Sequence, residues 1–294
     1  MLLVFILAAL SAMQADLLDQ GRAALESGDF NTAEQLFREF IRQNPKSAEA
    51  YSNLATVHSR RGDLKQAVEL YQQALKANPQ LAPVHFNIAV QLGKLRRFDE
   101  AASHLREFLK TYPNEARAHQ LLGLCLVETG DIRAALTELE ASFKANPNDG
   151  SIRYALAYAN ARAGDVDRAA ELFRDADSNK AQSKFIQGLI EYRQEKFAEA
   201  KILLEDVVRE MPDAYQAIAA LGRIELNARN DQAAIELLER AVKLNPSDAE
   251  STYQLGVLYD RVGRTADGIA ALRRALTLRA NYPDPHYQLG RIAF

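Results

Sequence analysis

The sequence predicts an all-α fold, a single array of stacked two-helix hairpins, and three observations predict it. A small residue recurs at Gly21, Ala55, Ala89, Gly123, Ala157, Gly188, Gly222, Gly256 and Gly290, in steps of 34 residues except one of 31 between Ala157 and Gly188. A second small residue follows twelve positions later, at Ala33, Ala67, Ala101, Ala135, Ala169, Ala200, Ala234 and Gly268. Pro45, Pro79, Pro113, Pro147, Pro212 and Pro246 close six of the units, so six of the nine prolines are punctuation. A period of this size marks a repeat array, in which no unit buries its apolar face alone and each stacks on its neighbours. Length alone, 294 residues, suggests two domains. The pattern from about Asp16 to Phe294 predicts one solenoid instead and leaves no stretch for an enzyme domain.

The unit at 48–81 shows why each element forms. Tyr51, Leu54, Ala55 and His58 follow the three- and four-residue steps of a helical stripe. Arg61-Gly62-Asp63 ends that helix, because Gly takes the left-handed conformation and Asp63 is placed to cap the next helix. Leu64, Ala67, Val68, Tyr71, Ala74 and Leu75 form the second stripe, and Asn78-Pro79 stops it. Ala55 and Ala67 are small so that the two helices can cross closely; a bulky replacement would cost about 1–3 kcal/mol.

The same reading gives units near 14–47, 82–115, 116–149, 150–180, 181–214, 215–248 and 249–282, and a ninth first helix at 283–294. Two units depart from the pattern. The one around Ala157 has no closing Pro, and the one around Gly188 carries Glu191 and Glu195 where an apolar residue and Gly are usual. The 31-residue step removes about one helical turn near Phe173 to Ser183, with Asp175 to Lys180 in place of a Pro-ended turn. A hinge and a shortened helix that packs normally are both open readings of it.

The repeated set Tyr51, Leu54-Ala55, His58, Ala67, Tyr71 and Pro79, with Leu122-Gly123, Ala135 and Pro147 and again Leu255-Gly256, Tyr259 and Gly268, resembles the tetratricopeptide repeat. The likeness covers nearly everything after residue 13. It implies a right-handed superhelical solenoid of about eight repeats plus a ninth first helix, with the first helices lining a concave groove. On that geometry Phe86, Tyr154, Tyr158, Phe185, Tyr192, Tyr253 and Tyr287 face the groove, interleaved with Lys94, Arg117, Arg162, Arg193, Arg223, Arg261 and Arg291. Tyr and Arg suit a peptide-binding surface, since aromatics bury large areas at low entropic cost and Arg grips carboxylates with paired hydrogen bonds.

The tightest set is Tyr154, Tyr158, Arg162, Phe185, Tyr192 and Arg193, with Phe86, Arg223, Tyr253 and Arg261 extending it. The expectation is an extended or helical partner segment with acidic and apolar side chains. Hairpin packing or solvated charge is the competing account of any one of these residues. Glu49, Glu128, Glu250, Asp260 and Asp284 fall on equivalent positions, so the field is mixed. Chaperone docking is not expected: Leu18 and Arg22, or Ser52 and Thr56, stand where the family's carboxylate-clamping repeats carry Lys and Asn, and Pro83 and Asn87 where a later Lys and Arg belong.

Chemistry of other kinds lacks residues to carry it. There is no phosphate loop, nucleophile elbow or His-Glu-x-x-His helix, and neither a cofactor nor a metal is expected. His85, His119 and His286 share the position held elsewhere by Leu17, Tyr51 and Ile218, which makes them packing residues before ligands; His58 and His104 are isolated. Cys125, the single cysteine, excludes an intrachain disulfide and reads as a buried small hydrophobe. With 39 Asp and Glu against 36 Lys and Arg, nucleic acid is not expected as the main partner.

Leu2 to Leu10 is too short to span a bilayer but has the length of a secretory signal core, followed by small residues at Ser11, Ala12 and Ala15. Residues 1–15 therefore read as a signal segment and the protein as exported, periplasmic or secreted, although no Lys or Arg precedes the run; without cleavage it would be cytoplasmic. Leu289, Ile292 and Phe294 leave an apolar end that predicts either a self-capping helix or self-association. The functional expectation is a protein-binding adaptor. Its rival is a structural subunit of an envelope or secretion assembly that uses the convex face and the carboxyl end.

Overall fold

The computed structural model describes residues 17–173, 180–280 and 282–292. Residues 1–15, which the sequence leads one to expect as a signal segment, residues Asp175 to Asn179 and the terminal Phe294 lie outside the described residues. The chain divides into two compact units, Met1–Leu126 and Val127–Phe294. All regular structure among the described residues is helical.

The first unit holds α1 (17–27), α2 (Phe30–Gln43), α3 (Ala48–Arg61), α4 (Leu64–Ala77), α5 (Ala82–Lys94), α6 (Phe98–Thr111) and most of α7 (Ala116–Thr129). The second holds the end of α7, then α8 (Ile132–Ala145), α9 (Gly150–Ala163), α10 (Val166–Phe173), α11 (Ala181–Arg193), α12 (Phe197–Glu210), α13 (Tyr215–Asn227), α14 (Asp231–Leu244), α15 (Ala249–Arg261), α16 (Thr265–Leu278) and α17 (Pro283–Ile292). From α2 to α6 and from α8 to α17 each helix packs on the next, odd- and even-numbered helices pairing as hairpins and the even helices packing also on the odd helix that follows. α10 is described over Val166–Phe173, and residues 174–179 of the 31-residue step lie outside the described residues. The described α9 packs directly on α11 as well as on α10.

The turns obey the backbone chemistry read from the sequence, with two differences. Gly62, Gly130, Gly164 and Gly263 adopt φ between 83° and 91°, the left-handed region that ends a helix. Arg96, Glu195 and Arg229 take φ near 60° in the turns where no Gly is available. Asp63 stands at the cap position of α4, yet its side chain makes no cap hydrogen bond and lies 3.3 Å from His58 Nδ1 instead. Asp29, Asp131, Asp149 and Asp248 do cap, each accepting from backbone N–H groups of the next helix.

The small residues have a partner that the period alone did not name. A Cβ on Gly222 would lie 2.8 Å from Leu238 Cγ, and one on Gly256 would lie 2.7 Å from Leu272 Cγ. Gly21 stands against Phe37 and Gly188 against Leu204 in the same way, so each of these four glycines accepts the side chain sixteen positions on. The residues at that offset, among them Phe37, Tyr71, Leu105, Leu139, Leu204, Leu238 and Leu272, are buried and fill the space between the helices of a hairpin. Gly290 differs, with nothing within 4 Å of its would-be Cβ.

Candidate partner-binding site

In the first unit, Phe86 on α5 is half-buried, with its ring 5.1 Å from that of Phe108 and the Arg117 guanidinium 5.9 Å from its centroid. Beside it, His85 and His104 bring their Nδ1 atoms to 2.8 Å, so one ring donates a proton to the other. His119 donates to the Pro113 carbonyl at 2.9 Å, and His58 is buried near Asp63 and Glu34. Among the described residues no three His, Cys, Asp or Glu side chains converge as a metal-binding group. Cys125 is buried in α7.

The second unit gathers the tight set. Successive first helices carry it: Tyr154, Tyr158 and Arg162 lie at four-residue steps along one face of α9, Phe185, Tyr192 and Arg193 on α11, and Arg223 on α13. Tyr158 and Phe185 are both buried, with ring centroids 5.7 Å apart. Arg162 Nη1 donates to the Tyr158 hydroxyl at 3.1 Å. Arg223 lies 5.9 Å from the Tyr192 ring centroid, and the Tyr192 hydroxyl accepts from Asn227 at 3.4 Å. Exposed Arg193 donates to the Arg162 carbonyl at 2.7 Å, and half-buried Tyr154 meets Phe173 edge-on at 6.0 Å. Tyr253 and Arg261 stand outside this cluster: Tyr253 packs on Tyr282 at 5.3 Å, and Arg261 pairs with Asp231.

Polar contacts across this unit join helices far apart in sequence. Arg162 Nη2 meets Glu250 Oε2 at 2.9 Å, and Arg223 Nη1 meets Glu250 Oε1 at 3.4 Å, so one carboxylate on α15 bridges α9 and α13. The Tyr215 hydroxyl donates to Glu128, which also accepts from Gln216 at 3.4 Å. Arg279 stacks on Tyr282 at 4.7 Å, and a side chain at Gly130 would overlap its guanidinium. These groups enclose a recess with about 20 Å³ of free volume, room for a water molecule or two.

Burial works against charge here, and the arginines decide the outcome. Burial pushes the Glu250 carboxyl up, but Arg223, Arg162, Arg279 and Arg193 outweigh it and hold the group below its ordinary range. Burial pushes the Tyr158 hydroxyl up to about 12, and Tyr154 also rises, chiefly through burial. At neutral pH the site thus holds an ionised carboxylate among guanidiniums and neutral tyrosines. Sequence reading placed Glu128 and Glu250 on the face but passed over Tyr215, Gln216, Asp248 and Arg279. Those four lie at helix ends, outside the groove positions of the period, and only the contacts across hairpins bring them in.

A family model of the tetratricopeptide repeat matches residues 18–82, 86–132, 126–184, 187–249 and 219–285. Among solved structures, a tetratricopeptide repeat protein from Parabacteroides merdae ATCC 43184 is 18% identical with a TM-score of 0.63, over 83% of this chain and 98% of that one. MamA from Desulfovibrio magneticus RS-1, from its residue 41 onward, is 22% identical with a TM-score of 0.53, over 55% of this chain and 92% of its own. The pilF protein of Pseudomonas aeruginosa is 24% identical with a TM-score of 0.52, over 69% and 93%. At these identities the likeness concerns the fold. No curated protein matches the chain.

Proposed function

Since this chain belongs to the tetratricopeptide repeat family, whose members are generally non-catalytic scaffolds for protein–protein interaction, we propose that it holds a segment of a partner protein along the first-helix face of its second unit. One observation carries the reading. Helices α9, α11 and α13 set aromatic rings and guanidiniums side by side, Tyr158 against Phe185 with Arg162 over it, and Tyr192 under Arg223. Aromatic and Arg side chains in a partly desolvated hollow are the residue types that dominate binding energy at protein interfaces. Exposed Arg193 and half-buried Tyr192 and Tyr154 offer direct contact, while buried Tyr158 and Phe185 set the shape beneath them.

The test is capture of partners from the native organism by the wild-type chain and by a variant carrying Y154A, Y158A and R193A. Loss of the same partner from the variant supports the reading, and unchanged affinity removes it. A second reading draws on α17, where Tyr287 is 72% exposed. It is a structural subunit joined through the convex face and the carboxyl end, supported by crosslinks from second-helix residues into a stable complex. Export belongs to the proposal on the strength of the Leu2 to Leu10 run alone, and mass spectrometry of the mature amino terminus tests it. Among the described residues no helix is long and apolar enough to cross a membrane.

A further inference from the structure

We infer that Glu250 is an internal occupant of the partner site: its carboxylate keeps Arg162 and Arg223 engaged until a glutamate-type side chain of an acidic partner segment takes its place. The inference rests on the function proposed above and names the chemistry that segment must carry. Glu250 lies in the first turn of α15, but it does not cap that helix. Asp248 does so, accepting from the N–H groups of Glu250 and Ser251 at 3.1 and 3.2 Å. The Glu250 side chain instead reaches Arg162, 88 positions earlier in the chain, and Arg223, 27 positions earlier.

Charge at the recess shows what vacating that position would leave. Arg162, Arg223 and Arg279 line it together with Glu128, Asp248 and Glu250. Glu128 is held by Tyr215 and Gln216, and Asp248 by the cap and the Ser251 hydroxyl at 2.6 Å. Once Glu250 swings out, Asp248 still acts on Arg162, but Arg162 and Arg223 lose the carboxylate that bridges them. Arg279, which also lines the recess, has a buried Nε donor with no hydrogen-bond partner among the described residues.

Glu250 already occupies the hydrogen-bonding positions between Arg162 and Arg223, so a second carboxylate reaches those arginines by exchange. The exchange is nearly balanced, one carboxylate replacing another on the same arginines. The Arg162 and Glu250 side chains keep 22% and 30% of their surface exposed, so release does not strand a charge in a dry core.

The experiment titrates the full chain, as wild type and as Glu250→Ala, with an acetylated and amidated tri-glutamate peptide and with its tri-glutamine counterpart, by calorimetry. Capped ends leave side-chain carboxylates as the only anions. The expected result is that Glu250→Ala binds the tri-glutamate at least about tenfold more tightly than wild type, that tri-glutamine shows no such difference, and that Arg162→Ala in the Glu250→Ala background removes the gain. Equal tri-glutamate binding by both proteins, or binding by neither, overturns the inference. Should Glu250→Ala lose its helical circular dichroism, Glu250→Gln, which keeps the volume, decides the same comparison. The two proposals fail separately: a partner lost on aromatic substitution with no effect at Glu250 leaves the groove and sinks the exchange, whereas the reverse leaves the exchange and sinks the groove.

Discussion

The two units are made from the same hairpin and use their charges differently. In the first unit, Arg22 pairs with Glu49 and Arg61 with Glu34, contacts that join one hairpin to the next. The second unit has contacts of that kind too, such as Arg291 with Asp260 at 3.0 Å. It also has Arg162 on Glu250 and Tyr215 on Glu128, which join hairpins three apart. Stacking explains the first kind and says nothing of the second. The lesson is that a repeat fixes how neighbours meet, while contacts between distant repeats of one unit are where an array acquires something particular to this chain.

The sharpest way to break the comparison is to remove one partner of each kind. Arg162→Ala, leaving a partly buried carboxylate with a weaker set of partners, is expected to destabilise the second unit by about 2 kcal/mol. Arg22→Ala is expected to cost less than about 1 kcal/mol, because its pair with Glu49 leaves both side chains about half exposed. Urea denaturation with hydrogen exchange read separately over residues 17–126 and 127–292 distinguishes the two, and equal effects would erase the distinction.

Packing supplies the next contrast. Gly256→Ala presses a methyl against Leu272 and the Gly268 carbonyl, 2.7 and 3.1 Å from the new atom, and is expected to cost about 1–3 kcal/mol. Gly290→Ala meets nothing and is expected to be neutral or slightly stabilising, since Ala is the better helix former. Thermal melts of the two variants check this pair.

Acid should separate the units by pH. Burial and the neighbouring His85 lower the His104 pKa, so the unfolded chain takes up a proton there first. The His104 contribution to the stability of the first unit is full above about pH 6.5 and falls as pH drops through that value toward the lower folded pKa. The Glu250 pKa is also lowered, but from the carboxylate range, so its contribution to the second unit is full above about pH 4.3 and lost only as pH falls through the folded value. Hydrogen exchange at pH 7, 5.5 and 4 should therefore show the first unit loosening before the second. His104→Asn should abolish the early phase.

The smallest effect expected is at the turns. Glu195→Gly and Arg229→Gly relieve side chains held near φ 61° and should stabilise by up to about 1 kcal/mol, whereas Gly62→Ala, at φ 88°, should cost about that much. Chemical denaturation midpoints of the three variants check the sign of each.

Much of the hairpin was legible because its signals are local. Gly62 and Asn78 end helices through backbone constraints that act within a few residues, and the predicted boundaries at 48, 62, 64 and 78 agree with α3 and α4. The failure of Asp63 to cap was not legible, since His58, itself placed by the preceding helix, competes for the same carboxylate. The site was legible as a face and not as a constellation. Spacing put Tyr154, Tyr158 and Arg162 on one side of a helix, but it could not say that Tyr158 and Phe185 would be buried while Arg193 stays exposed.

What the sequence determined by itself is the family, the all-helical hairpin, the residues that make each turn and the small positions where helices cross, because all of these follow from steps of three to about thirty-four residues along the chain. What only the tertiary structure decided is which charges meet. Glu250 finds Arg162 across 88 residues because the stacking of several hairpins brings the two side chains together, and no single repeat carries that juxtaposition in its own sequence.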